Sequence, residues 1–424
     1  MDGSHHIVSW SPIYNTSNLT VPSFIPFPDG QTWRRIIIAQ ASCEAKAQPR
    51  DFRADEVPLA FGDLQFPELV RRISPDNGAS DAIKNGVLAV LADQLTNRPA
   101  AVAQAVAAGA VGVLTQLLGD ADQKGLRVAA MRCLALCSAT HAGLQSVLAE
   151  RSLATIKPYL GELGRGNVGL RTDAYRALRR AVGAASGAAA AVTNDYVPVL
   201  VEKAAAETEE VASIQAAALD VLDRCLNAPP PTNARALSQA LETDAVEHCV
   251  ALLAHDDESV TSNAATVLAT LCFNVAGKKR ALACDAVPKL VELLAFRSGA
   301  GGRGGHILRS AAAGALANVA VLDGGKVAAI KAGGVDRLFA LVADADERDI
   351  VKLNALKAIS NVVAHPHARF GKNQKKPYDD AEGERLGLQG RAEVQEALAK
   401  LCESGNALLA RSAKIALDLV EWKP

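Results

Sequence analysis

One short apolar pattern returns along this chain at near-constant spacing. It runs small, Val, x, x, Leu, x, x, Leu, Leu, as in Ala110 to Leu118 and again in Ala286 to Leu294. Its second positions are Val111, Leu153, Val197, Val246, Val287 and Val335, which gives steps of 42, 44, 49, 41 and 48 residues. After each copy comes a stretch with helical periodicity: Leu126 to Ala139, Val168 to Val182, Val211 to Leu226, Ser259 to Phe273, Ile307 to Val321 and Ile350 to Val363. Within the fifth of these, Leu308, Ala311, Ala312, Ala315, Leu316 and Val319 fall on one face. A short helix leads into the pattern, as in Val102 to Ala108 before Gly109 and Lys326 to Ala332 before Gly333. Glycine there predicts a left-handed helix stop. Pro198 and Pro288 sit just inside helix starts, where a missing N–H costs nothing. A unit of this size cannot bury its apolar faces alone, so the pattern predicts stacked repeats sharing one continuous core.

Composition agrees with that reading. At 424 residues the chain exceeds what one hydrophobic core usually supports, and it is 49% hydrophobic and 21% charged. Aromatic residues make up only 4%, and Ala supplies much of the apolar share. Ala favours helix and lets helices approach closely. Net charge is −1, from 45 basic and 46 acidic residues. That balance gives no reason to expect a nucleic-acid or membrane-surface partner, and no run is apolar enough for a membrane span. The start, Met1 to His6, carries no basic region followed by an apolar run, so no secretory leader is expected. Eight cysteines occur without metal-type pairing, although Cys133 and Cys137 share a helix face. They are expected to be reduced, buried and apolar in role, as in an intracellular protein.

Residues 1–56 break the pattern. Trp10, Tyr14, Phe24, Phe27 and Trp33 alternate there with Pro12, Pro22, Pro26 and Pro28, a density of proline that forbids a long helix. Large aromatics seek burial. This arm either caps its own repeats or docks on a partner, and Arg34 to Ile38 reads equally as strand or helix. Two insertions interrupt the array from 57 to 424. Residues 297–306 are Gly-rich but lack the Gly-Lys-Ser/Thr ending of a phosphate loop, so they read as a surface insertion. Residues 366–390 are polar with mixed charge, and are either a solvated loop or a partner-binding one. Helices at Ala392 to Cys402 and Ala407 to Val420 are expected to close the array.

No catalytic constellation stands out. There is no nucleophile elbow, kinase signature, dinucleotide fingerprint or metal-helix spacing of histidines. Asp256-Asp257-Glu258 falls where one helix gives way to the next and reads as an N-terminal cap. The expectation is therefore a non-enzyme with no cofactor, no metal and no small-molecule substrate.

The helix–Gly–helix grammar over residues 57–424 resembles the armadillo family. The resemblance implies an all-α, armadillo/HEAT-like right-handed α-solenoid, here with an irregular N-terminal arm. In armadillo proteins that carry nuclear cargo, inner helices present Trp and Asn four residues apart. Asn318 and Asn361 occupy the Asn position here, and Thr270 stands there in the preceding unit, with Arg224, Arg180 and Leu136 before it. The Trp positions hold Gly314 and Lys357, a departure from an import receptor. A peptide clamp around Thr270, Asn318 and Asn361 is one reading; a local structural hydrogen bond from each Asn is the other.

Val57-Pro58-Leu59-Ala60-Phe61-Gly62, followed by Pro67-Glu68-Leu69 and a first long helix over Asp81 to Leu95, resembles the opening of armadillo-repeat proteins of ciliary radial spokes. That resemblance implies a scaffold of the axoneme, in the cytoplasm and cytoskeleton of a cilium or flagellum, whose partners are other spoke subunits. The alternative is a soluble adaptor that binds extended peptide motifs of cargo or signalling partners. The arm from Trp10 to Trp33 is expected to serve as a second contact.

Overall fold

The structure, a computed structural model, describes residues 65–421 except 121–123, 162–165, 207–211, 298–304, 366–367, 369–387 and 389–390. The chain divides between Glu56 and Val57, and every described residue lies in the second unit. The arm aromatics Trp10, Tyr14, Phe24, Phe27 and Trp33 are outside the described residues, as is most of 366–390.

Among the described residues there are helices and no strands. A pair, α1 (Gln65–Ile73) and α2 (Asp81–Leu95), opens the array. Six three-helix repeats follow. The first three are α3 to α5 (Pro99–Ala107, Ala110–Gly119, Arg127–Cys137), α6 to α8 (His141–Ala149, Ser152–Ile156, Val168–Val182) and α9 to α11 (Ala185–Thr193, Tyr196–Ala206, Ala212–Leu226). The next three are α12 to α14 (Thr232–Glu242, Ala245–Leu252, Glu258–Leu271), α15 to α17 (Val275–Ala283, Ala286–Leu293, His306–Val319) and α18 to α20 (Asp323–Lys331, Gly334–Ala343, Asp349–Val362). A last pair, α21 (Ala392–Cys402) and α22 (Ala407–Glu421), completes it. No single described helix is long and apolar enough to cross a membrane.

The recurring apolar pattern is the second helix of each repeat. Its Val and Leu positions are buried throughout: Val111 and Leu114, Val246 and Val250, Val287 and Leu290, Val335 and Leu338. They pack on the third helix of the same repeat, and the third helices pack on one another in sequence, α2 on α5, then α8, α11, α14, α17, α20 and α22. The core is thus a continuous seam in which each repeat is buried by its neighbours.

The turn between first and second helices is left-handed in all six repeats. Gly109 (φ 82°) and Gly333 (φ 70°) match expectation, and α3 meets α4 at 73° across Gly109. The equivalent residues in the other four repeats are Arg151, Asp195, Asp244 and Asp285, at φ between 52° and 55°. Asp tolerates this conformation better than most side chains because its carboxylate can engage nearby backbone; Arg151 carries the strain outright.

The turn from a third helix into the next repeat has a different requirement. Gly143, Gly187, Gly277 and Gly325 each stand six residues after a carbonyl near the end of the preceding third helix. A Cβ there would lie 1.9 Å from Cys137 O, 1.9 Å from Ala181 O, 2.2 Å from Leu271 O and 2.3 Å from Val319 O. These corners are backbone against backbone.

Candidate protein-binding groove

The third helices end by tightening, and that tightening creates the array's most regular polar feature. In α17, Leu316 O accepts from Ala320 N four residues on, whereas Asn318 O accepts from Val321 N three residues on. Ala317 O is skipped. The same shift skips Ala269 O in α14 and Ala135 O in α5. Such helix-end carbonyls need partners from outside the helix. The next repeat supplies them: Asn361 Nδ2 donates to Ala317 O (2.8 Å), Asn318 Nδ2 to Ala269 O (2.8 Å) and Arg180 Nη1 to Ala135 O, which also accepts from Ser138 Oγ of its own helix end (2.7 Å). The residues expected to clamp a peptide are therefore first of all rungs between repeats. Thr270 takes another partner, donating to Asp223 Oδ1 (3.2 Å), which also accepts from Asn227 Nδ2 (2.8 Å). Burial pushes the Asp223 carboxyl above its ordinary range, against the pull of these bonds.

A second set of rungs ties the middle helices together. Lys289 Nζ donates to Val250 O (3.0 Å) and, one repeat on, Arg337 Nη1 donates to Val291 O (2.9 Å). Both acceptors again lie in the last turn of a helix.

Over the rungs of α14, α17 and α20 runs a groove of about 650 Å³. Its floor is small or amide-bearing: Thr270, Ser310, Gly314, Ala317, Asn318 and Asn354. Gly314, where an import receptor would carry Trp, leaves the floor open. Phe273, Ile307 and Ile350 line it and are 67%, 63% and 51% exposed, a large apolar area left in water. Ile307 and Ile350 each hold the second position of a third helix, and Leu408, exposed too, holds it in α22. In α11 and α14 the second position is Ser213 and Ser259. Exposed aliphatic side chains thus stand at this position in the last helices α17, α20 and α22, and at Val128 in α5. Arg348, Lys357 and His306 also line the groove, and none of its lining residues is Asp or Glu.

Thr270 and Asn318 lie in this groove, while Asn361 is not among its lining residues. Sequence reasoning missed Phe273, Ile307 and Ile350, which it counted as ordinary members of helical stretches. The signal was present: Ile307 and Ile350 sit one residue N-terminal to the buried face that starts at Leu308 and Val351.

Asp257, expected as a helix cap, accepts from Ser259 N (2.9 Å) and Val260 N (3.1 Å) at the start of α14. Cys133, Cys137, Cys225, Cys249 and Cys272 are buried free thiols packed in the core. Burial pushes those of Cys137, Cys225 and Cys272 up to about 12. Among the described residues, no group of three His, Cys, Asp or Glu side chains could hold a metal ion.

No protein-family profile matches the chain. Over 260 residues, 58% of its length, it is 30% identical to radial spoke protein 14 of Chlamydomonas reinhardtii, and the alignment spans 63% of that relative, less than two thirds of its length. It superposes on a crystal structure of an engineered protein with a TM-score of 0.52 at 20% identity, covering 85% of this chain and 99% of that one. A designed armadillo repeat protein in complex with the peptide (KR)4 gives 0.49 at 19% identity, over 59% of this chain and 99% of that one. The six stacked three-helix repeats are those of an armadillo-type α-solenoid fold, and the chain is similar in sequence to radial spoke protein 14.

Proposed function

We propose that this chain is a non-enzymatic scaffold that holds segments of other proteins, and that its setting is the radial spoke of the ciliary axoneme. The observation that carries the first part is the groove over α14, α17 and α20, where Phe273, Ile307 and Ile350 stand exposed around a floor of small and amide side chains. Interfaces place such apolar anchors at their centres, with polar groups fixing register. An extended segment with aliphatic side chains fits this chemistry, its backbone meeting Asn318 and Asn354 and its acidic groups meeting Arg348 and Lys357. The second part rests on the similarity to radial spoke protein 14. The aromatic arm around Trp10 to Trp33 is proposed as a further contact, on its sequence alone.

A tagged copy expressed in ciliated cells tests the setting. The spoke reading expects it to stay with axonemes through a salt wash. A copy found only in the soluble fraction would remove that reading and leave the peptide-binding adaptor. Retention lost on Ile307→Asp or Ile350→Asp, with the repeats still folded, would tie attachment to the groove.

A further inference from the structure

The other end of the array carries a surface of different chemistry. On the outward faces of α5, α8 and α11 stand Arg132, Arg176, Arg179, Arg180 and Arg224. The acidic residues of these three helices are Asp173, Asp220 and Asp223. Five guanidinium groups therefore stand over three carboxylates.

Depth matters more than the count. Arg176 pairs with Asp173, yet its side chain is 47% exposed against 13% for the carboxylate. Arg179 Nε reaches Asp220 Oδ2 at 2.7 Å, with 57% exposure against 29%. Arg224 shares that same Asp220 oxygen at 3.1 Å. Asp223 is occupied by Thr270 and Asn227. The acids thus lie beneath and the cations above, so an approaching molecule meets the cations first. Arg132 is exposed and makes no hydrogen bond among the described residues. One arm of Arg180 is tied to Ala135 O. The crowding registers on the groups themselves: burial lowers the affinity of Arg180 for its proton, and Arg176 and Arg179 lower it further. Asp173, its carboxyl raised by burial, feels Arg176, Arg132 and Arg180 together.

We propose that the α5–α8–α11 surface binds a carboxylate-rich segment of a protein partner, anchored by Arg132, Arg176, Arg179 and Arg180. The guanidinium fork matches a carboxylate in two-point geometry and holds its charge at every pH of interest. Neighbouring packed helices lie about 8–10 Å apart, and an extended chain advances about 3.3–3.6 Å per residue. The two spacings across three helices, about 16–20 Å, therefore match about five or six residues of an extended segment. A nucleic acid is the weaker candidate: the surplus of cations is small, the chain as a whole carries −1, and phosphate binding draws on a broad basic surface. This site is separate from the aliphatic groove and stands or falls without it.

The experiment uses the full chain and fluorescence anisotropy with three labelled probes: a decapeptide of alternating Glu and Ser, its Lys–Ser counterpart, and a ten-nucleotide single-stranded DNA. The Glu–Ser peptide is expected to bind, the Lys–Ser peptide not to, and affinity should fall as salt rises. Arg132→Ala with Arg176→Ala should weaken binding about tenfold, through loss of complementary charge at the rim. The Lys double variant at these positions should restore part of it, and Lys400→Ala, at an exposed position of α21 outside both sites, should leave it unchanged. Equal binding of both peptides, tighter binding of the oligonucleotide, or an alanine variant that binds like the parent would each overturn the proposal. Removing Arg176 deprives the mostly buried Asp173 of its ion pair, so melts are run beside the titrations, and Arg132→Ala alone, at an exposed side chain, should weaken binding with a melt that matches the parent.

Discussion

Arg309 Nε donates to Glu347 Oε2 at 2.6 Å, and both side chains are buried. The bond joins α17 to the segment leading into α20. Arg297 reaches the same carboxylate oxygen (3.0 Å) and also Asp344 (3.1 Å), while Arg309 Nη1 donates to Phe296 O (2.7 Å). The two ends of the Gly-rich insertion are therefore fastened to each other and to the following repeat. Gly305, at φ 74°, lies so near the Phe296 ring that a Cβ would be 2.7 Å from it. Removing one partner of a buried pair leaves the other charge stranded. Arg309→Ala is expected to destabilise the C-terminal repeats by about 3 kcal/mol, read as a loss of the urea midpoint at constant slope.

The same carboxylate sets an acid limit. Burial alone would raise the Glu347 pKa, but bonds from Arg309, the Arg348 N–H and Arg297 outweigh it and hold the group below its ordinary 4.5. A carboxyl lowered in the folded state contributes stability that is complete above its unfolded value and is lost as pH falls through its folded one. Stability should therefore drop on acidification below pH 4.5, and Glu347→Gln should flatten that limb while lowering stability at neutral pH. Melting temperatures from pH 7 down to pH 3 decide it; parallel curves for parent and variant would show that Glu347 is not the titrating group.

The corner glycines make a sharper test of backbone packing. At Gly187 an added methyl meets Ala181 O at 1.9 Å, which no rotamer change relieves. Gly187→Ala should cost at least about 2 kcal/mol, as overpacking of a fixed backbone does. At Gly109 space is open and only the left-handed φ opposes a side chain, so Gly109→Ala should cost about 1 kcal/mol. Gly78 has open space and an ordinary φ, and its Ala variant serves as the neutral control. A reversed order of Gly187→Ala and Gly109→Ala in thermal melts would refute this ranking.

Much of this was legible in the sequence, for a reason that repeats make plain. Second helices bury Val and Leu at fixed offsets, so Val111, Val246, Val287 and Val335 mark the repeats without any tertiary knowledge. Glycine at 109 and 333 gave away two of the left-handed turns, but Arg151, Asp195, Asp244 and Asp285 hid the other four, because those side chains adopt the turn only when neighbouring repeats hold it. The corner glycines were invisible as a class, since their requirement is a contact with a carbonyl six residues back and not a φ value. The polar site was only partly legible. Asn318 and Asn361 were found by position, yet their carbonyl partners come from the preceding repeat and depend on how each third helix tightens at its end. Ile307 and Ile350 were read only as the first residues of helical stretches, because a stripe read from sequence does not mark its wet edge.

The rung and the groove can be separated by substitution. Asn361→Ala removes the donor to Ala317 O and leaves that helix-end carbonyl unpaired. The expected cost is about 1 kcal/mol, the usual range for one neutral hydrogen bond, with no change in groove binding because Asn361 does not line the groove. Asn318→Ala should cost about the same in stability, since it frees Ala269 O, and should also weaken a bound aliphatic segment, because Asn318 lies in the groove floor. Ile307→Ser should do the reverse: Ile307 is mostly in water, so stability holds while binding falls by about 1–2 kcal/mol, the worth of a buried aliphatic anchor. Urea melts paired with peptide titrations read both quantities on each variant. If Asn361→Ala weakened binding as much as Ile307→Ser at equal stability, Asn361 would be a ligand contact, and its bond to Ala317 O would be incidental.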